Sequence, residues 1–290
     1  MSPLSLLASV AVDSLAYAMV LFVISVGLSI TLGLMRFVNL AHGLFAVAGG
    51  YALVAAMARL GLPYEAAVPA ALAAVALLAW PLERWLYRRL AGRSELDQVL
   101  FSIALVFIGI AGLGLLFGNA ITAVRLPGYL QGSVSLGFRE LPAQRLAALG
   151  AGVFTLVLLS WLMQSTRFGI ELRAAVERPQ AAQALGIRTT RVCSLAFALG
   201  AALAALGGVA GAELLPLEPH YPLKYLVLFL AVVAVGGLGS HWGLLAAALL
   251  LGTVETAAKY FVPGLSSIFF FTTMLAVLAW RPQGLFGRPV

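Results

Sequence analysis

The residues able to do chemistry are few in this chain, and their spacing limits what they can do. Glu255 reads as the one carboxylate set well inside an apolar run. Lys259 follows it by four residues, the spacing of a helical ion pair with the acid N-terminal to the base. Glu213, Glu218 and His220 stand beside Pro216, Pro219 and Pro222 at the end of another apolar run. There they are either solvated at a membrane rim or take part in a proton-coupled step. Asn39 and His42, in RFVNLAHG, sit among apolar residues. They either satisfy carbonyls and amides freed where a helix breaks, or touch a transported solute. His241, in GGLGSHWG, carries the same two alternatives. The three histidines lie far apart, and neither HExxH nor a Cys/His ligand spacing occurs, so no metal site is expected. Gly236, Gly237, Gly239 and Gly243 surround a turn at Ser240, but the phosphate-cradling pattern GxxxxGK[ST] is missing. Lys224 and Lys259 follow no glycine. The chain is therefore expected to hydrolyse no ATP itself, to hold no cofactor, and, lacking a nucleophile–base pair, to be no enzyme. The single cysteine, Cys193, excludes an internal disulfide.

These residues must be positioned by membrane helices. The chain has 290 residues, 62% hydrophobic and 10% charged, against about 25% charged in soluble domains. Backbone groups left unpaired in lipid are costly, so spans are helices or a closed barrel. The Ala/Leu-rich runs lack the alternation of barrel strands. The fold class is all-α: a polytopic transmembrane bundle of about 8–9 spans of roughly 20 residues, with one or more broken or re-entrant segments. Spans are expected at residues 13–35, 44–58, 66–82, 98–117, 146–163, 193–212, 223–236, 243–260 and 266–280. Residues 36–43 are either a cytoplasmic turn or an intramembrane break. The 118–145 loop admits a short strand where Val134, Leu136 and Phe138 alternate, and Pro142 suits the start of the next helix. The net charge of +7 lies in loops between spans. That is a positive-inside pattern rather than a nucleic-acid signal. With the 83–97 loop, the 167–191 segment and the tail all cytoplasmic, the N-terminus lies outside and the C-terminus inside. No Lys or Arg precedes Arg36, so no cleavable signal peptide is expected. Gly200, Ala204, Gly208 and Ala212, with Gly207 and Gly211 beside them, form close-packing faces, as do Gly114 and Gly118. The stretches RFVNLAHGLFAVAGGY and VGGLGSHWGLLAAALL share a pattern of the kind seen at matching breaks in internally repeated transporters.

Residues 167–191 form the longest strongly polar segment. Arg167, Arg173, Arg178, Arg188 and Arg191 face only Glu171 and Glu177 there. Gln180 to Leu185 is expected to form a short helix after Pro179, closed by Gly186. Its alanines, Ala174, Ala175, Ala181, Ala182 and Ala184, leave the elbow thin enough to enter a groove. It is either a passive loop or a docking surface.

The run FGIELRAAVERPQAAQALGIRTTRVCSLAFALGAALAALGGVAGA resembles the cytoplasmic signature of ABC importer permeases of the branched-chain amino-acid type. VNLAHGLFAVAGGYAL resembles that family's second block, AVVAVGGLGSHWG its third, and ERWLYRRL and the closing RPQGLFG also fit. The H-type membrane subunit is the nearest form. Two positions depart from the family: Leu44 replaces an acidic residue after His-Gly, and Arg178 stands where Asp is common.

The resemblance implies that residues 1–290 are a single permease domain of a bacterial inner membrane, forming half of a translocation pathway. It implies a second permease subunit, two ATPase subunits and an external solute-binding protein as partners. Residues 167–191 would be the coupling elbow, docking through Gly169, Arg173, Ala174, Glu177, Ala181, Leu185 and Gly186. The pathway would involve Asn39, His42, Gly43, Gly237 and Ser240. The solute would be a branched-chain amino acid or a related small molecule, with amide, urea or sugar as alternatives. An ion-coupled secondary transporter is the rival class, with Glu255 or the Glu213–Glu218 cluster as its ion site.

Overall fold

A run of apolar residues that must satisfy its own backbone folds as a helix, and nearly the whole chain obeys that rule. The computed structural model describes residues 3–35, 39–90, 92–135, 140–237 and 239–287. In order, the helices are α1 Pro3–Met35, α2 His42–Leu60 and α3 Tyr64–Leu82, followed by a π-helical turn Glu83–Tyr87 and α4 Arg88–Leu90. Then come α5 Glu95–Phe117, α6 Gly128–Gln131, α7 Ala143–Ser165, α8 Arg167–Glu177, α9 Pro179–Ala184 and α10 Thr189–Ala210. The series ends with α11 Tyr221–Gly236, α12 His241–Phe261, a 3₁₀ turn Pro263–Leu265 and α13 Ser266–Trp280. Among the described residues, eight helical stretches are long and apolar enough to cross a bilayer, and α11 is a shorter apolar ninth. One hairpin, β1 Ser133–Ser135 against β2 Glu140–Pro142, is antiparallel with Val134 opposite Leu141.

α1 is the axis. Ala16 to Ile24 is buried on every side, as expected of a helix apolar all round. The small-residue faces set its closest neighbours. A Cβ on Gly27 would strike the Gly200 backbone, and one on Gly211 would strike Val20, so α10 runs antiparallel to α1 at near backbone contact. Gly208 abuts the Ala46 carbonyl and brings α2 onto α10. Gly252 meets Ala18, and Tyr17 meets Glu255, so α12 is antiparallel to α1 as well. Asp13 pairs with Arg145 and Gly152 meets Met19, so α7 runs parallel to α1. The elbow α8–α9, the π turn and the residues after α13 therefore gather at one end of the bundle. The hairpin and the 211–220 turn lie at the other, where Thr122 bridges to Leu217.

Several expectations change. The first span starts at Pro3 rather than 13, because Asp13 does not bound the helix. Its carboxylate is buried and accepts bonds from Arg145 and Tyr260. Glu255 is therefore not the one carboxylate inside an apolar run. The third span does not end at 82; the helix continues through the π turn to Leu90. Among the described residues, Gly114 and Gly118 lie against no neighbouring helix. A Cβ on Gly114 would meet only Asn119, and Gly118 ends α5 at φ +83°. Arg36, Phe37 and Val38 of the break, Leu136 and Phe138 of the expected strand, Leu238, and Arg288, Pro289 and Val290 of the tail lie outside the described residues.

Candidate functional site

The elbow is built from local signals. Thr166 caps α8, its hydroxyl accepting from Gly169 N at 3.3 Å, which meets one of the amides a helix start leaves unpaired. Leu172 and Ala175 are buried against Val192 and Ala196 of α10, with Met163, Phe168 and Ile30 around them. Gly169 lies on that inner side, pressed on the backbone of Met163. The chain turns at Arg178, and Pro179 opens α9. Only Ala182 of α9 is buried. Gly186, at φ +83°, closes the helix. Gly186 N donates to Gln183 O at 2.9 Å and Ile187 N to Ala182 O at 3.0 Å, the paired bonds of a Schellman ending. Gln183 Nε2 donates to Thr189 Oγ1 at 3.0 Å and ties α9 to the start of α10.

The outer surface is what remains. Ala181 and Gly186 are exposed there, and Leu185 is 83% exposed. Arg173 and Glu177 are exposed too, with the Arg173 guanidinium turned back to the Met163 carbonyl. Ala174 is half-buried. The expected docking residues thus divide: Ala181, Leu185 and Gly186 share the tip, whereas Gly169 holds α8 to α7. Arg178, which departs from the family pattern, is exposed at the joint between the two short helices.

The expected pathway residues fall into two places. Asn39, His42 and Gly43 lie deep in the bundle, where His42 is fully buried. His42 Nε2 is 3.1 Å from the Ile24 carbonyl and donates to it, since a carbonyl oxygen only accepts. Ile24 lies about three turns before the end of α1, or roughly 16 Å. α2 therefore begins inside the bundle rather than beside Met35, and the break ends at depth. A Cβ on Gly43 would lie 2.9 Å from Pro222 Cα, so α2 also starts against α11. Asn39 Oδ1 accepts from Ala41 N at 3.0 Å and from the Tyr87 hydroxyl at 2.9 Å. Among the described residues, Asn39 Nδ2 and His42 Nδ1 are buried without a partner.

Gly237 and Ser240 sit instead at the elbow end. Gly237 has φ +85° and meets Gly287, while Ser240 Oγ caps α12 by accepting from Gly243 N at 3.0 Å. A cavity of about 70 Å³ opens beside them, lined by Val26, Ser29, Ile30, Leu159, Met163, Gly239, His241 and Leu244. Both α2 and α12 open on a histidine, but His42 is buried at depth and His241 only half-buried beside Ser160. Leu44, the other departure from the family pattern, packs on Gly109 of α5.

Two of the carboxylates named for an ion site, Glu255 and Glu218, are engaged, and Glu213 is exposed. Glu255 Oε1 is 2.7 Å from Lys259 Nζ, as the i,i+4 spacing predicts, and Tyr17 donates to Oε2 at 2.8 Å. Glu218 pairs with Lys224. In the 118–145 loop, Tyr129 donates to Glu65, and that bond pushes its phenol up to about 12. Among the described residues no three His, Cys, Asp or Glu gather. Sequence reasoning missed Glu83, which is 1% exposed and is held by Arg88 and Ser194. Its Glu-to-Arg spacing of five residues fits a π turn, not the i,i+4 rule of an α-helix.

The chain is similar to known membrane permeases over most of its length. The family model described as branched-chain amino acid transport system / permease component matches residues 10–278. The chain is 25% identical over 287 residues to the high-affinity branched-chain amino acid transport system permease protein LivH of Escherichia coli (strain K12), covering 92% of this chain and 91% of that one. It is 26% identical to the corresponding LivM protein of Salmonella typhimurium, covering 94% of this chain and 69% of LivM. A solved structure, PsaBC from Streptococcus pneumoniae in complex with Fab, superposes with a TM-score of 0.53 at 13% identity, covering 94% of this chain and 92% of that chain. At that identity the superposition speaks for the fold alone.

Proposed function

The chain belongs to the branched-chain amino-acid transport permease family, and from that premise we propose that it is the membrane-spanning half of an ATP-driven importer. The family match over residues 10–278 carries the reading. It takes in the whole elbow, whose exposed tip would be gripped by a separate ATPase subunit. A second permease, of the LivM or LivH kind, would complete the pathway, and an external binding protein would deliver the solute. Residues 1–290 act as one permease domain. A branched-chain amino acid is the solute the relatives' names favour.

The distribution of charge supports an orientation. Arg84, Arg88, Arg89 and Arg93, the five elbow arginines and Arg281 stand at the elbow end, with Arg59, Arg125, Arg145, Lys224 and Lys259 toward the other. Cytoplasmic loops carry the excess of Lys and Arg. The elbow and C-terminus therefore face the cytosol, and the N-terminus lies outside a bacterial plasma membrane. The mechanism needs only that the ATP-bound partner prefer one of two bundle states; the elbow then transfers that preference to α10. Docking falls to Ala181, Leu185 and Gly186 at the tip, with Arg173, Ala174 and Glu177 beside them and Gly169 as the seat of α8. Asn39, His42 and Gly43 would meet the pathway at depth, and Gly237 and Ser240 at its cytosolic mouth.

Gly186→Trp tests the reading. Any side chain is strained at φ +83°, yet no neighbour lies within 4 Å of that position, so the subunit should still insert. The expected result is normal membrane content, an ATPase that no longer co-purifies or no longer drives uptake, and leucine uptake reduced at least tenfold, an order-of-magnitude expectation from lost coupling. Normal uptake would overturn the docking role.

A further inference from the structure

We propose that the π-helical turn Glu83–Tyr87 is the positioning element linking the elbow to the broken start of α2, so that movement of α10 reaches Asn39 and His42. The inference rests on the elbow being the docking surface.

A π turn brings residues five apart onto one face, and here those residues are Glu83 and Arg88. Arg88 Nη2 donates to Glu83 at 3.0 Å, to Ser194 Oγ at 2.8 Å and to the Thr190 carbonyl at 3.3 Å. Ser194 donates its own hydroxyl to Glu83. Thr190 and Ser194 belong to the first turns of α10, the helix that leaves the elbow. A buried carboxylate holds its neighbours firmly, since losing a partner leaves the charge uncompensated. The π turn therefore moves with the start of α10.

The residue before Arg88 points the other way. Tyr87 is fully buried, its ring between Phe101 at 5.5 Å and Phe197 at 5.0 Å. Its hydroxyl donates to Asn39 Oδ1, the same atom that accepts from Ala41 N at the start of α2. From α10 to Asn39 there are thus two links, Ser194 to Arg88 and Tyr87 to Asn39, joined by the single backbone step from Arg88 to Tyr87. Among the described residues, Asn39 Nδ2 and His42 Nδ1 are buried without partners, so two polar atoms are left unmet. An arrangement that gave these atoms partners would be favoured, and a pull through Tyr87 on Asn39 is how movement of α10 would select it.

The test uses the complete complex purified through this chain, in proteoliposomes with its binding protein. Leucine uptake and phosphate release are measured on the same vesicles. Tyr87→Phe and Ser194→Ala each remove one hydrogen bond and keep the packing. The expected result is that leucine moved per ATP falls about fivefold, within the range for residues that carry coupling, while hydrolysis and thermal stability stay near wild type. Ser194→Thr, which keeps the hydroxyl, should restore the ratio. Uptake and hydrolysis falling in parallel would overturn the proposal, as would an unchanged ratio. Gly186→Trp separates the two claims. If it leaves uptake intact, the elbow reading fails; if it abolishes uptake while Tyr87→Phe and Ser194→Ala behave as wild type, the π turn alone is excluded.

Discussion

Gly208 has no room for a side chain, because a Cβ there would overlap the Ala46 carbonyl of α2. In lipid, close backbone approach is a main source of helix association. Gly208→Leu should therefore lower stability by about 1–3 kcal/mol, read as an earlier thermal transition in detergent, whereas an unchanged transition would mean that α2 and α10 do not meet there. Charge gives a second expectation. The Glu255 side chain is 9% exposed and that of Glu218 is 20% exposed. A less exposed carboxylate loses more when its partner goes. Lys259→Met should cost about 1–2 kcal/mol and Lys224→Met under about 1 kcal/mol, and a chemical denaturation series on both variants would check the order. The Glu255–Lys259 pair was legible in the sequence because helical spacing alone brings it together. The Asp13–Arg145–Tyr260 cluster was not, since its members lie 132 and 247 residues from Asp13 and meet only through packing.

Among the elements, the short helices of the elbow were the most legible. Pro179 and Gly186 mark the two ends of α9 by their own backbone preferences, and the structure closes the helix at Gly186. The seat of α8 depends on the Thr166 cap. Thr166→Ala should loosen α8 by about 1 kcal/mol and make its amides exchange faster; unchanged protection of Gly169 N–H would contradict that. The break before α2 was located by Asn39 and His42 but its depth was not, because depth depends on how far α1 continues past the point of contact. The π turn was equally hidden. ERWLYRRL reads as a basic loop, and only the burial of Glu83 turns a five-residue spacing into an ion pair.

For the whole molecule, composition alone dictates a helical membrane bundle, and the order of its spans follows from the apolar runs. α1 as the buried axis is a property of packing that no single run announces. The placement of the elbow, the π turn and the tail at one end gives the basic residues a common side, and the importer reading stands on that side being cytosolic. The direct measurement is labelling of Ala181→Cys, with Cys193→Ser to remove the native thiol. A membrane-impermeant maleimide should leave intact cells unlabelled, react in inverted vesicles, and be blocked when the ATPase is bound. Labelling of intact cells from the outside would contradict the reading.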